Sequence, residues 1–179
     1  EEKWVDGKWK YFYYFSAHNA SVNKKTLGVA VAENPTGPFK ASKAPLFTST
    51  SGGQMLDSDV FTDPVSGQSY LYYGNGQLHY RLLNDDMISV GNTEYTITPQ
   101  GGSLADYAFR EGVYVFYRNG LYYFLWSVDD TGSKNYHVAY GTSTSPTGPI
   151  TVAKEPVILI QDADNEIYGT AHNSIVNIP

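Results

Sequence analysis

The chain has 179 residues, enough for one domain with a sizeable core, and a hydrophobic fraction of 41% excludes a disordered polypeptide. A formal net charge of −6, with the basic residues scattered along the chain, argues against a nucleic-acid partner. The sequence has no Cys, which excludes disulfides and thiolate metal sites. It also has no apolar run of about 18 residues that would span a membrane.

The first predicted elements form a unit that recurs later in the chain. Residues 4–16 are predicted to be a hairpin around an Asp-Gly turn, and residues 27–32 an alternating strand before Pro-Thr-Gly-Pro at 35–38. The same order returns at residues 115–127, around an Asn-Gly turn, and at 136–141, where Pro-Thr-Gly-Pro follows 111 residues after its first copy. This order indicates an internal repeat.

A third copy lies between these two, at residues 59–74, with a longer turn and a following strand at 78–82. The period is then about 55 residues, which holds about four strands, as in a propeller blade. No stretch has the helical apolar period. We therefore predict an all-β fold, a β-propeller, with blades over residues 1–50, 51–105 and 106–165, and the first strand of another in 166–179.

The predicted blades are too few to close a ring. Propellers close with about four to eight blades, and an open array leaves long unpaired strand edges. We therefore expect other segments to complete this propeller, or the chain to be a fragment of a larger protein. The chain starts at Glu1 rather than at Met, so a leader peptide is expected to have been removed or to be absent from this sequence.

Polar residues stand at corresponding places in three predicted blades. Asp57 opens the second blade, Glu111 the third, and His172 the partial fourth. The first strands of propeller blades converge on the central channel, so these side chains are expected to meet there. Two carboxylates suit the hydrolysis of a glycosidic bond, in which a protonated carboxyl gives its proton to the leaving oxygen. Glu111 is the predicted acid, and Asp57 the neighbour that modulates the acid's pKa.

Each of these residues also has a simpler explanation. A Glu at the start of a strand is usually solvated, Asp is a residue type that stabilises turns, and a single His is more often structural than a ligand. These alternatives remain open from the residues alone. The shared placement in the repeat is what favours a site.

Four segments resemble glycoside hydrolase family 43, the five-bladed β-propeller arabinofuranosidases, xylosidases and arabinanases. They follow the family's order along the chain: the hairpin ending at Ser16 with residues 28–39, residues 56–61 with 70–74, residues 110–123, and residues 169–175. The second segment has Ser58 where the family often has Pro and Asp59 where Ser is common. The resemblance runs essentially from end to end of the chain.

The resemblance implies roles for the matching residues. Glu111 corresponds to the general acid, and Asp57 to the carboxylate that tunes the acid and orients the substrate. His172 corresponds to a central His that reaches a calcium or sodium ion on the propeller axis, largely through water; no organic cofactor is expected. The family inverts configuration with an Asp of its first blade as general base. No residue of this chain matches that Asp, so we expect the chain alone to be inactive.

The resemblance also implies a class of substrate. The surroundings of Glu111 look most like those of the arabinofuranosidase members, and Phe109, Arg110 and Trp126 are the predicted substrate contacts. Trp126 has an alternative explanation as part of the blade core. The implied partners are oligo- or polysaccharides of the arabinan, arabinoxylan and xylan class, which would lose α-L-arabinofuranosyl or β-D-xylosyl units. Such a protein is expected to be secreted or periplasmic, of bacterial type.

Two other functions are open. One is an inactive or non-catalytic propeller fragment that at most binds carbohydrate. The other is a protein-interaction propeller, which is disfavoured because the Trp-Asp repeat signature is absent from the sequence.

Overall fold

Three antiparallel sheets of four strands make up almost all the regular structure in the computed structural model, which describes residues 1–176. Within each sheet, neighbouring strands follow one another along the chain. The first sheet contains β1 (Glu2–Val5), β2 (Lys8–Asn19), β3 (Lys24–Ala32) and β4 (Lys40–Ala41). The second contains β5 (Asp59–Thr62), β6 (Ser69–Tyr73), β7 (His79–Leu82) and β8 (Tyr95–Thr96). The third contains β9 (Phe109–Arg118), β10 (Leu121–Val128), β11 (His137–Ser143) and β12 (Thr151–Leu159), after a short 3₁₀ helix at Leu104–Tyr107.

The two predicted tight turns have the geometry that their sequences favour. Asp6 and Gly7 have φ angles of 52° and 78°, and Asn119 and Gly120 have 52° and 81°. A two-residue turn with both φ angles positive matches the right-handed twist of the strands it joins, which is why Asp-Gly and Asn-Gly occur there. These turns confirm the two hairpins of the predicted repeat.

The second sheet is the centre of the structure because its strand β6 is buried on both faces. Side chains alternate along a strand. Tyr70 and Tyr72 therefore join a core cluster with the third sheet, while Leu71 and Tyr73 join a cluster with the first sheet. The aromatic-rich run at residues 70–73 thus packs the second sheet between the other two.

The three successive four-stranded sheets confirm the all-β prediction of a partial propeller. They span residues 2–41, 59–96 and 109–159; the blade boundaries between them stay predictions. Among the described residues, 169–176 form no strand, in contrast to the strand predicted there, and 177–179 lie outside the described residues. A strand needs a partner for its backbone groups, and the last nearby pairing is an isolated bridge between Asp162 and Ile167.

The part of the chain that the structure describes contains no helix of the length and apolar character needed to cross a membrane.

Candidate active site

Glu111 has a buried carboxyl group with a hydrogen-bond donor on each oxygen. It lies on β9 and is 8% exposed. The Tyr136 hydroxyl donates to Oε1 at 3.0 Å, and Asn75 Nδ2 donates to Oε2 at 2.7 Å. Asn75 comes from the turn after β6, and Tyr136 from the residue before β11. Two sheets therefore hold this carboxyl group in one orientation.

The hydroxyl of Tyr136 remains protonated near neutral pH and is available as a donor. Burial raises the pKa of Tyr136 to about 12; a hydrogen bond with Ser127 opposes the rise, and the negative charge of Glu111 adds to it. Ser127 is itself fully buried and lies opposite Glu111 in the pairing of β10 with β9.

Asp57 lies beside Glu111 at the start of the second sheet. Its backbone N–H donates to Ser16 Oγ of the first sheet at 3.1 Å, and its side chain is 24% exposed. Burial raises the pKa of Asp57; the charge of His172 counteracts the rise, that of Glu111 adds to it, and that of Lys25 opposes it. Asp57 and Glu111 are therefore close enough for each charge to affect the other.

His172 completes this group from the irregular segment after β12. Its backbone N–H donates to Ser127 Oγ at 3.1 Å, and its Nδ1 lies 4.0 Å from Asp57 Oδ2. Gly112, next to Glu111, permits this approach. A Cβ atom at Gly112 would lie 2.8 Å from Ser127 Oγ and 3.2 Å from His172 Nδ1, and its φ of 64° disfavours other residues.

The structure thus brings together Asp57, Glu111 and His172, which are far apart in the sequence. Sequence reasoning missed the residues that hold them, namely Ser16, Asn75, Ser127 and Tyr136. Asn75 and Tyr136 stand in a turn and at a strand start, where Asn and Tyr are ordinary. No local pattern therefore distinguished them.

Of the three predicted substrate contacts, Arg110 alone reaches the surface. Its Nη2 lies 2.7 Å from Asp130 Oδ2, with the two side chains 41% and 60% exposed. The neighbouring carboxyl of Glu111 takes other partners, as alternation along a strand predicts. An exposed pair of this kind contributes at most about 1 kcal/mol, so a ligand can displace it.

The other two predicted contacts, Phe109 and Trp126, lie in the core cluster between the second and third sheets, which corrects the assignment of Phe109 to the sugar and supports the core alternative for Trp126. Phe109 is 4% exposed and Trp126 0% exposed. The side chain of Trp126 therefore offers no surface to a ligand. Among the described residues, its Nε1 has no hydrogen-bond partner.

The predicted metal role of His172 has no set of protein ligands around it. Within residues 1–176, no group of three or more His, Asp or Glu side chains gathers in a way that would hold a metal ion. Calcium takes about six to eight oxygen ligands, and His172 has beside it one carboxylate, that of Asp57, at 4.0 Å. The predicted ion is reached largely through water, so the small number of protein ligands does not test it, and a calcium or sodium ion near His172 stays a prediction.

Asp59, two residues after Asp57, lies outside the group formed by Asp57, Glu111 and His172 and binds the backbone of the third sheet instead. Its Oδ2 accepts a 2.8 Å hydrogen bond from the backbone N–H of Val115, which joins β5 to β9. Burial raises the pKa of Asp59 to about 7, although the hydrogen bond from Val115 opposes the rise and the charge of Glu1 adds to it. Asp59 therefore connects two sheets.

We expect replacement of Asp59 by Asn to stabilise the chain at pH 8 but not at pH 4. The folded state binds the Asp59 proton more tightly than the unfolded state, whose pKa is about 3.9. Below pH 4, Asp59 is protonated in both states and its ionisation does not change the free energy of unfolding. As the pH rises to about 7, ionisation of Asp59 lowers the free energy of unfolding, and this loss remains at higher pH. The gain at pH 8 should be about 1–3 kcal/mol in urea unfolding. Exposed Asp164→Asn is the control, and an equal effect of Asp59→Asn at both pH values would contradict the prediction.

Comparison with known proteins identifies the family of the chain. A model of glycosyl hydrolases family 43 matches residues 5–179. The β-D-galactofuranosidase xynD of Aspergillus niger is 34% identical over 178 residues, with 96% of this chain and 48% of that protein covered. The β-xylosidase of Xylanibacter ruminicola is 27% identical, with 96% and 59% covered. The extracellular endo-α-(1→5)-L-arabinanase 1 of Bacillus subtilis is 27% identical, with 78% and 44% covered. The chain spans about half the length of these curated relatives.

Solved structures share the fold. A thermostable family-43 glycoside hydrolase aligns with a TM-score of 0.78 at 23% identity, with 96% of this chain and 58% of that chain covered. The calcium-free form of CoXyl43, a β-xylosidase/α-arabinofuranosidase from a compost microbial metagenome in complex with xylotriose, aligns with a TM-score of 0.70 at 28% identity, with 88% and 55% covered. The family model covers nearly the whole chain and one relative is more than 30% identical along it, so the chain belongs to glycosyl hydrolases family 43.

Proposed function

We propose that this chain carries the general acid of an inverting glycoside hydrolase that removes α-L-arabinofuranosyl or β-D-xylosyl units from plant cell-wall polysaccharide. The observation that supports this proposal most is the buried carboxyl group of Glu111, with a donor on each oxygen and Asp57 in electrostatic reach. Glu111 is the acid in the proposal, and Asp57 modulates the transfer of its proton.

The two donors suggest which oxygen of Glu111 carries the proton. Asn75 Nδ2 only donates, so Oε2 stays an acceptor. The hydroxyl of Tyr136 can donate or accept, so it tolerates a proton on Oε1. We therefore assign the transferred proton to Oε1, from which it passes to the glycosidic oxygen as the bond to the sugar breaks.

Inversion also needs a base that activates water on the opposite face of the sugar, about 6.5–9.5 Å from the acid. We propose that a carboxylate outside this chain supplies the base. Arg110 is kept as a substrate contact because its guanidinium group reaches the surface. We further propose a secreted protein, in line with the extracellular arabinanase among its relatives.

The 179-residue chain alone should give no turnover of aryl arabinofuranoside, xyloside or galactofuranoside, because it would lack the base. The measurement is release of 4-nitrophenol by a pure sample. A longer protein that joins this chain to the base-bearing segment should hydrolyse at least one of the three substrates, and the preferred one identifies the sugar. Turnover by the chain alone would refute the placement of the base.

Inactivity of that longer protein on all three sugars, together with measurable oligosaccharide binding, would instead favour a non-catalytic carbohydrate-binding propeller. The two outcomes separate the proposed enzyme from its alternative without any further variant.

A further inference from the structure

A polar cavity lies between the first sheet and the loop that precedes Asp57 and leads to the second sheet. Its volume is about 380 Å³. One wall is the end of the β2–β3 hairpin, with His18, Lys24 and Lys25, and the other is the loop, with Thr50 and Gln54. Cavities of this size accommodate small-molecule ligands.

The pairing of β2 with β3 shows which face of the hairpin is directed at the candidate site. His18 pairs with Lys25 across the two strands, so their side chains lie on one face. Ser16 is two residues before His18 and shares that face. Since Ser16 Oγ accepts the hydrogen bond from the N–H of Asp57, the face that carries Lys25 is the face directed at Asp57.

The opposite wall, formed by the loop before the second sheet, packs against a residue of the candidate site. Gly53 packs so closely on the carbonyl oxygen of Asn75 that a Cβ atom has no room there. Asn75 is the residue that donates to Glu111. Met55, at the end of the loop, is 2% exposed and belongs to the core between the first and second sheets. The loop that forms this wall is therefore packed against the residue that donates to Glu111 and against the core between the first two sheets.

The charge of the cavity is opposite to that of the protein. The formal net charge is −6, yet two adjacent lysines line this cavity. Within residues 1–176, neither Lys24 nor Lys25 has a carboxylate within 4.0 Å, whereas Lys3, Lys8 and Lys10 do. Ammonium groups with no carboxylate within that distance among the described residues, beside the polar side chains of Thr50 and Gln54, suit an anionic ligand with hydroxyl groups.

We propose that this cavity is a substrate subsite for the carboxylate of a uronic acid residue next to the glycosidic bond. The proposal rests on the proposed function, since it gives that enzyme a preference for acidic branches of its polysaccharide. Lys25 contacts the carboxylate, Lys24 beside it along β3 adds positive charge, and Thr50 and Gln54 contact the sugar hydroxyls. The subsite is a binding site and takes no part in bond cleavage.

The test is binding of two matched xylo-oligosaccharides to the chain at low salt, one neutral and one with a single glucuronic acid branch, by isothermal titration calorimetry. The acidic ligand should bind about five- to tenfold more tightly, and the advantage should shrink in 0.5 M NaCl. The double variant Lys24→Gln/Lys25→Gln should remove the advantage and leave neutral binding unchanged. Lys154→Gln, an exposed lysine on β12, is the matched control.

The other outcomes distinguish failure of the subsite from failure of the proposed function. Equal binding of the two ligands, or an advantage that survives the double variant, refutes the uronate subsite and leaves the proposed function in place. Absence of binding by either ligand counts against both. Free glucuronic acid is a third ligand. If its binding weakens with salt to the same extent as the extra affinity of the acidic oligosaccharide, the carboxylate is the group recognised, which supports the subsite.

Discussion

Replacement of Glu111 by Gln should lower kcat on natural glycosidic linkages by about 10²–10⁴-fold, the usual contribution of a general acid. Gln keeps the shape of the side chain. Its oxygen still accepts from Asn75, and its amide can donate to the hydroxyl of Tyr136, so both hydrogen-bonded neighbours keep a partner. What is lost is the proton for the leaving oxygen. The measurement uses a longer protein that includes the base.

The leaving group supplies an internal check of that result. A dinitrophenyl glycoside needs little protonation, so Glu111→Gln should reduce its hydrolysis much less than that of an unactivated disaccharide. Glu155→Gln changes an exposed glutamate on β12 and should leave both rates as they were. Full activity of Glu111→Gln on the disaccharide would rule out Glu111 as the acid.

Replacement of Trp126 by Ala should lower the free energy of unfolding by about 3–5 kcal/mol, as expected for the loss of a fully buried Trp. Small domains have total stabilities of about 5–15 kcal/mol, so this single change should remove a large part of the stability of the chain. Trp126→Phe should cost less, because it keeps an aromatic ring in the cluster and removes an indole N–H that has no partner among the described residues.

The control for this prediction is Trp9→Ala, since Trp9 is 53% exposed and should change stability far less. Urea unfolding of the three variants measures the differences. If Trp126→Ala keeps the stability of the parent chain and instead weakens oligosaccharide binding, Trp126 contacts sugar, and its placement in the core would be refuted.

The shape of the fold followed from patterns that are local in the chain. Alternation of side chains predicts strands, and Asp6-Gly7 and Asn119-Gly120 predict the tight turns between them, because each pattern acts over a few residues. The repeat then predicted four strands to a sheet, and the three sheets have that number. The repeat also gave the common placement of Asp57, Glu111 and His172, whose catalytic roles stay predictions.

The surroundings of those residues depended on contacts between distant segments. Asn75 and Tyr136 reach Glu111 from 36 and 25 residues away, and Ser16 reaches Asp57 from 41. No local pattern encodes which side chains meet across two sheets. In the same way, the sequence left Trp126 open between core and cleft, and only the packing of the second sheet against the third buried it.

The segment from residue 169 shows the same difference between what local sequence favours and what tertiary contacts allow. Its composition suits a strand, yet residues 169–176 form none, because a strand exists only where another strand accepts and donates its backbone hydrogen bonds. Local sequence therefore decided which residues are able to form strands and turns. Tertiary structure decided which of them pair, which carboxyl group is buried between donors, and which aromatic ring is buried in the core.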